Sequence, residues 1–268
     1  MTHSILLMMY GQSNADAHNA GPCVASPYLD NPNVVCPNDN RGFQGLRGQE
    51  RQRPITGFVP SYGNTKTIQT IGAAIGCSLL DRSTDPDLSR VIFRSGACGG
   101  RPLDGYIKDG RHVHGIHHDA HGNHSDILLA FFEDIRQIKP AADQDGAPIH
   151  KLYIPFFHGE ADRSTDADTY FTGLNALIDD IETEVAKIGL DLHWLITQPG
   201  GTDATGSGNA WQNRQCFLQI CKDRTNAHFC AATYGYALDD NIHLNATSKV
   251  LVGELLGHRI AELEAGTT

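Results

Sequence analysis

Basic side chains are scarce in this sequence relative to acidic ones. The 268 residues carry 21 Lys and Arg against 31 Asp and Glu, which gives a formal net charge of −10 with neutral histidines. Nucleic-acid-binding proteins normally present a basic face or stripe. The charge balance therefore argues against that class, and no nucleic-acid partner is predicted.

Long apolar runs are absent as well. No window approaches the roughly 18 consecutive apolar residues that indicate a membrane-spanning helix. The most apolar N-terminal run, residues 5–10, is too short for the core of a signal peptide and has no Lys or Arg before it. We therefore expect no transmembrane segment, no signal peptide and no membrane partner, while the sequence assigns neither a compartment nor an oligomeric state.

Paired cysteine motifs are missing. The seven cysteines contain no CxxC and are odd in number, so neither a zinc ribbon nor a closed disulfide framework is indicated. Cys23 and Cys36 are placed to clip the first long loop, with buried free thiols as the favoured alternative. A chain of this length buries about three quarters of its unfolded surface and needs no such staple.

What the sequence does contain is a regular alternation of strand-like and helix-like segments. The predicted strands are 4–10, 90–94, 151–157, 190–197 and 228–233. The predicted helices are 66–80, a segment from Ile127 that Pro140 stops, 169–188, 209–223 and 246–263. Five strands, each followed by a helix, predict a five-stranded parallel sheet with helices on both faces.

One segment interrupts this alternation. Residues 17–62 are polar and rich in Asn, Pro and Gly, and they are too long for a simple connection in a compact domain. We interpret them as a long loop insertion in one domain that covers residues 1–268, since no linker or internal repeat is evident.

Ligands of such sheets bind at the carboxyl ends of the strands, so residues that follow strands are the candidates for chemistry. Ser13 follows the first strand, where Gly11 permits a tight bend and a helix N-terminus favours negative charge; the alternative is an ordinary helix cap. Asp240 and His243 follow the last strand and can share one turn, with the imidazole free to accept a proton from a serine. Taken alone, that pair is more often a surface His and a capping Asp.

Two further polar blocks follow the middle strands. Gly99 and Gly100 let backbone amides approach a ligand closely and can donate to an oxyanion. His158 opens the block after the third strand, which continues with Glu160 and Asp162. Each signal is weak alone, but four such blocks on four strands would converge on one edge.

The order of these blocks resembles a known family. Gly-Gln-Ser-Asn at 11–14, Gly-Gly at 99–100, Gly-Glu-x-Asp at 159–162 and Asp-x-x-His at 240–243 resemble the SGNH hydrolase superfamily. Within it the chain is most similar to the sialate O-acetylesterase-like and carbohydrate esterase family six branch, over residues 4–263.

This resemblance implies roles for the block residues. Ser13 would be the nucleophile, His243 the general base and Asp240 its orienting partner. The Ser13 N–H and an N–H of Gly99 or Gly100 would line the oxyanion hole. The remaining block residues, in supporting positions, are Gln12, Asn14, Glu160 and Asp162.

One position departs from the family pattern. That branch usually carries Gln before Gly-Glu, and other SGNH enzymes an Asn, whereas this chain has His158. Neutral imidazole still donates one N–H, so His158 is predicted to be an oxyanion donor. The alternative is a hole that lacks one donor.

Six of the 14 histidines fall within residues 112–124. Two pairs spaced by four residues could chelate zinc from a helix. However, Gly115 and Gly122 argue against a regular helix, and no H-E-x-x-H motif supplies a glutamate base. We therefore favour a polar loop over the substrate pocket and predict no metal.

The residues and the resemblance together predict a flavodoxin-like, three-layer α/β serine esterase. It would remove O-acetyl groups through an acetyl-enzyme, without a cofactor, and its partner would be a small-molecule or polysaccharide acetyl ester. The acidic balance favours a neutral sugar over a strongly anionic polymer. The alternatives are a non-catalytic carbohydrate-binding module on the same fold and a metal-dependent hydrolase built on residues 112–124.

Overall fold

The computed structural model describes residues 2–15, 31–39, 54–60, 70–200 and 209–266. The strands in these ranges are β1 (His3–Gly11), β2 (Val34–Pro37), β3 (Phe58–Pro60), β4 (Leu88–Ser95), β5 (Tyr106–Lys108), β6 (Arg111–Val113), β7 (Ile149–Phe157), β8 (Asp191–Gln198) and β9 (Ala227–Ala232). The α-helices are α1 (Ile71–Arg82), α2 (Asp126–Gln144), α3 (Ala167–Ala186), α4 (Asn209–Asp223) and α5 (Ala246–Glu264).

The central sheet has the strand order β3-β2-β4-β1-β7-β8-β9. All neighbours are parallel except β3, which is antiparallel to β2. The prediction of five strands is therefore wrong, since the sheet has seven. The two additional strands come from the segment interpreted as a loop, and at four and three residues they are too short to show a periodic pattern.

Helices cover both faces of this sheet, which explains the continuous apolar run of β1. Leu6 and Met8 point into a core with α2, α3 and α4. Ile5 and Leu7 point into a second core with α1 and α5. A strand that is buried on both faces has no polar side, so its sequence does not alternate.

Proline does not end α2 as the sequence predicts. The helix continues through Pro140 to Gln144, although a proline inside a helix loses a hydrogen bond and crowds the preceding turn. Ala141 and Ala142 follow it and are buried in the first core. Their burial stabilises the last turn and offsets the cost of the ring.

The fold also determines where a ligand can bind. After β1 the chain forms β2, β3 and β4 on one side of it, and from β4 it crosses to β7 on the other side of β1. In doubly wound sheets this reversal opens a crevice at the carboxyl ends of the two strands. Ser13 follows β1 and His158 follows β7, so both blocks border the crevice.

A buried ion-pair network attaches residues 31–39 to the sheet. Arg94 of β4 is fully buried, and its Nη1 donates to Asp39 Oδ1 at 3.0 Å while its Nε donates to Asp134 Oδ2 of α2 at 2.9 Å. Two carboxylates around one guanidinium compensate its buried charge. Part of the 17–62 segment is therefore integrated into the domain.

Two sequence predictions fall partly outside the described residues. Residues 16–30, 40–53 and 61–69 lie outside the described residues, and with them Cys23 and the predicted first turn of α1. The six described cysteines carry free thiols. Among the described helices, none combines the length and the apolarity needed to cross a membrane.

Candidate active site

Ser13 lies two residues after the end of β1, beside a close approach of two strand ends that requires a glycine. Gly11 has a φ of +129°, and a Cβ there would lie 1.9 Å from the carbonyl oxygen of Phe157 on β7. The close approach of the two strand ends thus requires the glycine. Ser13 is 8% exposed, so its hydroxyl lies at the floor of the crevice.

His243 and Asp240 reach Ser13 from the segment between β9 and α5. His243 Nε2 lies 2.8 Å from Ser13 Oγ, and its Nδ1 lies 2.6 Å from Asp240 Oδ2. A carboxylate accepts only, so Nδ1 carries the proton and Nε2 is left as the acceptor for the serine hydroxyl. The arrangement can withdraw a proton from Ser13.

Backbone donors fix the carboxylate of Asp240. Its Oδ1 accepts the N–H groups of Ile242 and His243, both at 2.7 Å. This short turn explains the spacing of three residues, because the same carboxyl group caps the turn with one oxygen and orients the imidazole with the other. The side chain of Asp240 is 41% exposed, so solvent reaches the Asp240 end of the hydrogen-bonded series Ser13–His243–Asp240.

The two neighbours of Ser13 hold the surrounding loops together. Gln12 Nε2 donates to the carbonyl of Arg101, and its Oε1 accepts the N–H groups of Gly159 and Glu160 at 3.1 and 3.2 Å. These bonds link β1 to the loops after β4 and β7. Gln12 is therefore placed as a structural support of the serine.

Asn14 makes the matching connection to the other side of the crevice. Its Nδ2 donates to Glu160 Oε1 at 3.0 Å and to the carbonyl of Ile242 at 3.2 Å, and its Oδ1 accepts the N–H of Leu244 at 3.0 Å. The contacts on both sides of His243 hold the imidazole against Ser13.

The glycine pair after β4 lies in the wall of the same crevice. Gly99 and Gly100 both line the cavity next to Ser13, and Gly100 has a φ of +71°. The preceding Cys98 donates its N–H to the carbonyl of Gly11 at 3.0 Å. This bond ties the start of the glycine turn to the first residue of the Gly-Gln-Ser-Asn block.

His158 is not brought to the cavity wall. It is fully buried, with Nε2 3.3 Å from the carbonyl of Arg101 and Nδ1 2.8 Å from the hydroxyl of Tyr170. A carbonyl only accepts, so Nε2 carries the proton and Nδ1 accepts from Tyr170. Neither ring nitrogen is left to donate to an ester oxygen, which disagrees with the predicted oxyanion role.

Burial explains the charge state of that ring. It lowers the pKa of His158 from 6.5 to about 3, because no water solvates an imidazolium there. His158 is thus neutral at pH 7. Its role in this geometry is to pack the loop after β4 against α3.

Glu160 and Asp162 occupy different surroundings although they are two residues apart. Glu160 lines the cavity, burial raises the pKa of its carboxyl, and its Oε2 has no hydrogen-bond partner in the described structure. Asp162 Oδ2 accepts the N–H of Leu103 at 3.0 Å, and burial raises its pKa to about 7. Glu160 can therefore contact a ligand, while Asp162 connects two loops.

Ser13, the glycine pair, Glu160 and His243 surround one cavity of about 600 Å³. It is lined by Gln12, Ser13, Cys98, Gly99, Gly100, Arg101, Glu160, Ala161, Arg163, Ile242 and His243. A volume of this size suits a small-molecule ligand. None of these lining residues belongs to residues 112–124, so the loop predicted to cover the pocket is not part of its wall.

Sequence reasoning missed the two arginines of the cavity. Arg101 follows the glycine pair directly, and Arg163 follows Asp162. Their positions next to recognised blocks were the available signal. Only the fold shows that they line the same cavity.

Comparisons with known proteins identify the fold but no family. No protein-family profile matches the chain, and no curated protein matches its sequence. Among solved structures, NanS superposes with a TM-score of 0.69 at 12% identity, with 99% of each chain covered. A protein from Arabidopsis thaliana superposes with a TM-score of 0.63 at 16% identity, covering 97% of this chain and 98% of that one.

A carbohydrate acetylesterase from Xanthomonas citri is also similar, with a TM-score of 0.58 at 14% identity. The match covers 96% of this chain and 54% of that one. At such identities the likeness concerns the fold alone. The chain therefore has the mostly parallel α/β fold of these proteins, one of which is a carbohydrate acetylesterase.

Proposed function

We propose that this protein is a serine esterase that removes O-acetyl groups from a carbohydrate. The observation that carries the proposal is the continuous hydrogen-bond chain from Ser13 Oγ through His243 to Asp240, at the floor of a cavity. A nucleophile, a base and an orienting carboxylate within hydrogen-bond reach are the arrangement that acyl transfer requires. The proposed chemistry uses no cofactor.

The first half-reaction forms an acetyl-enzyme. Ser13 Oγ attacks the ester carbonyl carbon while His243 Nε2 takes the hydroxyl proton. Asp240 stabilises the resulting imidazolium through Nδ1–H. The C–O bond to the sugar then breaks, and the sugar oxygen takes the proton from His243. In the second half-reaction His243 activates a water molecule, which attacks the acetyl group and releases acetate.

Backbone amides would stabilise the oxyanion of the tetrahedral intermediate. The N–H of Ser13 and an N–H of Gly99 or Gly100 are assigned to this role, since both segments border the cavity. His158 is left out of the hole because its ring is engaged with Tyr170 and Arg101.

Polar groups in the cavity favour a sugar as the leaving group. Glu160 Oε2 is a buried acceptor without a partner among the described residues, and buried acceptors are normally satisfied. A sugar hydroxyl can donate to it. Arg101 and Arg163 also line the cavity and supply cationic donors. Acetylated sugars with and without a carboxylate group are therefore both test substrates.

The decisive test compares three variants on aryl esters of rising acyl length and on O-acetylated neutral and acidic sugars. We expect Ser13→Ala and His243→Ala to lower kcat for the aryl acetate by at least about 10³-fold, and Asp240→Asn by about 10²–10⁴-fold. Activity should fall steadily as the acyl chain grows beyond acetyl.

Matched controls are available on the same chain. Ser89 lies at the amino end of β4, opposite the cavity, and His258 is an exposed residue of α5. Ser89→Ala and His258→Ala should retain wild-type turnover. Undiminished turnover in Ser13→Ala would contradict the serine mechanism, and binding of acetylated sugars without turnover by the wild type would favour the carbohydrate-binding alternative.

A further inference from the structure

Three histidines and one aspartate form a compact cluster outside the cavity, which we call the histidine cluster. It consists of His117, His118, His124 and Asp180, whose candidate ligand atoms all lie within 4.8 Å of one another. His117 Nε2 and His124 Nε2 approach the same oxygen, Asp180 Oδ2, at 2.8 and 3.0 Å. Nothing in the proposed esterase reaction uses these groups.

We propose that the histidine cluster is a zinc site. Imidazole nitrogens and a carboxylate oxygen are donors that Zn²⁺ prefers, and four of them complete a tetrahedral shell. Bonds of about 2.0–2.1 Å place tetrahedral ligands about 3.4 Å apart. The separations from 2.8 Å up to 4.8 Å bracket this value, and the half-exposed His124 has room to adjust.

The burial of His117 supports a metal over a solvated polar loop. This side chain is fully buried, its Nε2 lies 2.8 Å from Asp180 Oδ2, and its Nδ1 lies 3.5 Å from Asp104 Oδ1. Burial of an imidazole is costly unless polar or charged partners face both of its nitrogens. A cation bound at Nε2 gives this ring a reason to be buried next to two other imidazoles.

Asp104 completes the site from outside. Its Oδ1 lies 2.7 Å from His118 Nδ1 and 3.5 Å from His117 Nδ1. Ligating histidines commonly donate their second nitrogen to a carboxylate, which fixes the tautomer. Asp104 thereby leaves the Nε2 atoms to face the metal, and with Asp180 it balances the two charges of the ion.

The proposed site is structural. Four protein ligands close the shell and leave no position for a reacting water. The zinc would fasten residues 117–124 to Asp180 on α3. These residues are bonded in turn to the loop that follows the glycine pair, since the N–H of His117 donates to the carbonyl of Leu103 at 2.8 Å. This inference does not depend on the esterase proposal.

The test uses untagged full-length protein, because a histidine tag would bind the same metal. We expect metal analysis to find about one zinc per chain. Removal of the zinc by a chelator should lower Tm, and added zinc chloride should raise it in a concentration-dependent way. Cobalt chloride added to the apoprotein should give the intense visible absorption bands of tetrahedral Co²⁺.

Variants separate the cluster from the rest of the segment. His124→Gln with Asp180→Asn should weaken zinc binding by at least about 100-fold, and Asp104→Asn by about 10–100-fold, as measured by competition with a chromophoric chelator. The matched control is His112→Gln with His121→Gln. These two exposed histidines contact each other at 4.8 Å between ring centroids and lie outside the cluster, so zinc affinity should stay within about twofold.

Two results would overturn the proposal. If the wild type binds neither zinc nor cobalt, the cluster is a hydrogen-bonded histidine–aspartate network only. If the control variant loses zinc as strongly as the cluster variant, the metal binds elsewhere in the segment. Should the double variant fail to fold, His124→Gln alone decides, since this side chain is 41% exposed and its replacement leaves the core intact.

Discussion

At the residue scale, His158 shows how burial assigns a side chain to one role. Its ring is enclosed between Tyr170 and the carbonyl of Arg101. We expect His158→Ala to lower the free energy of unfolding by about 2–4 kcal/mol through the cavity and the lost hydrogen bonds. Turnover of an aryl acetate by the folded variant should fall less than the 10²–10³-fold expected for a lost oxyanion donor.

Urea unfolding and steady-state kinetics on the same preparation measure both effects. Tyr170→Phe is the matched control, because it removes one hydrogen bond to the ring and leaves the ring in place. A 10²–10³-fold loss of kcat in His158→Ala, with KM and Tyr170→Phe activity unchanged, would return His158 to the oxyanion hole.

Asp162 makes a second prediction at this scale. Burial raises the pKa of its carboxyl from 3.8 to about 7. Between these values the folded protein binds one more proton than the unfolded chain. The contribution of protonated Asp162 to the free energy of unfolding is therefore complete below pH 3.8 and is lost as the pH rises through 7. The slope is at most about 1.4 kcal/mol per pH unit.

Unfolding in urea at several pH values within this window tests the prediction. Asp162→Asn keeps an acceptor for the Leu103 N–H and should remove the slope that Asp162 contributes. The difference between variant and wild type cancels the contribution of groups distant from Asp162. His158 Nε2 lies 3.6 Å from Asp162 Oδ2, but burial lowers its pKa to about 3, so it stays neutral in the folded protein throughout this window. Asp223→Asn, at an exposed position of α4, is the control, and an equal effect of both substitutions would contradict the assignment.

At the element scale, the contact between α1 and α5 depends on small residues. A Cβ at Gly257 would lie 2.5 Å from the carbonyl oxygen of Ile75 and 2.6 Å from Cβ of Ser78. The carbonyl oxygen belongs to the backbone of α1 and the Cβ is fixed directly to it, so neither atom can move independently of the helix. The two helices therefore pack more closely than any larger side chain at Gly257 would allow.

We expect Gly257→Ala to destabilise the protein by about 1–3 kcal/mol, despite the higher helix propensity of alanine. Gly235→Ala is the control, because a Cβ there meets nothing within 4 Å and should change the free energy of unfolding by less than about 0.5 kcal/mol. Chemical denaturation compares them. A stabilised Gly257→Ala variant would show that the helices separate at little cost.

At the scale of the whole molecule, the Arg94 network joins three parts of the chain that are distant in sequence. Arg94→Met removes the guanidinium that the buried carboxylates of Asp39 and Asp134 both contact. We expect a loss of about 3–5 kcal/mol in the free energy of unfolding at pH 7. Faster amide hydrogen exchange should be largest in β2, with β8 as the internal reference.

Replacing all three charged residues together provides the complementary measurement. Arg94→Met combined with Asp39→Leu and Asp134→Leu should recover most of the lost stability, because buried ion pairs are often matched by apolar residues of similar volume. If the single substitution alone is neutral, the network does not hold residues 31–39 on the sheet.

Four of the predicted strands, β1, β4, β7 and β8, consist mostly of buried residues, which is why their sequences are apolar, whereas β9 lies at the sheet edge and is only partly buried. A continuous apolar run such as residues 5–10 is typical of a strand in a parallel sheet whose two faces are both covered by helices. The strands β2 and β3 were not predictable. They contain four and three residues, and β2 is held by pairing with β4 rather than by a pattern of its own.

The candidate site was predictable to the extent that its residues follow strands. The sequence placed Ser13, Asp240 and His243 at one edge, and the structure brings their side chains into one hydrogen-bonded chain. The sequence also suggested a donor role for His158. Hydrogen-bond partners such as Tyr170 are supplied by packing, which local sequence does not encode.

The sequence by itself determined a mostly parallel α/β fold and placed the candidate site residues after its strands, since periodicity and strand-end residues follow from local geometry. The tertiary structure alone decided the strand count, the continuation of α2 through Pro140 and the membership of the cavity. It also divided the histidines: His243 contacts Ser13, His158 is buried behind the loop, and His117, His118 and His124 meet Asp180. These outcomes depend on contacts between distant segments, and those contacts exist only once the sheet has formed.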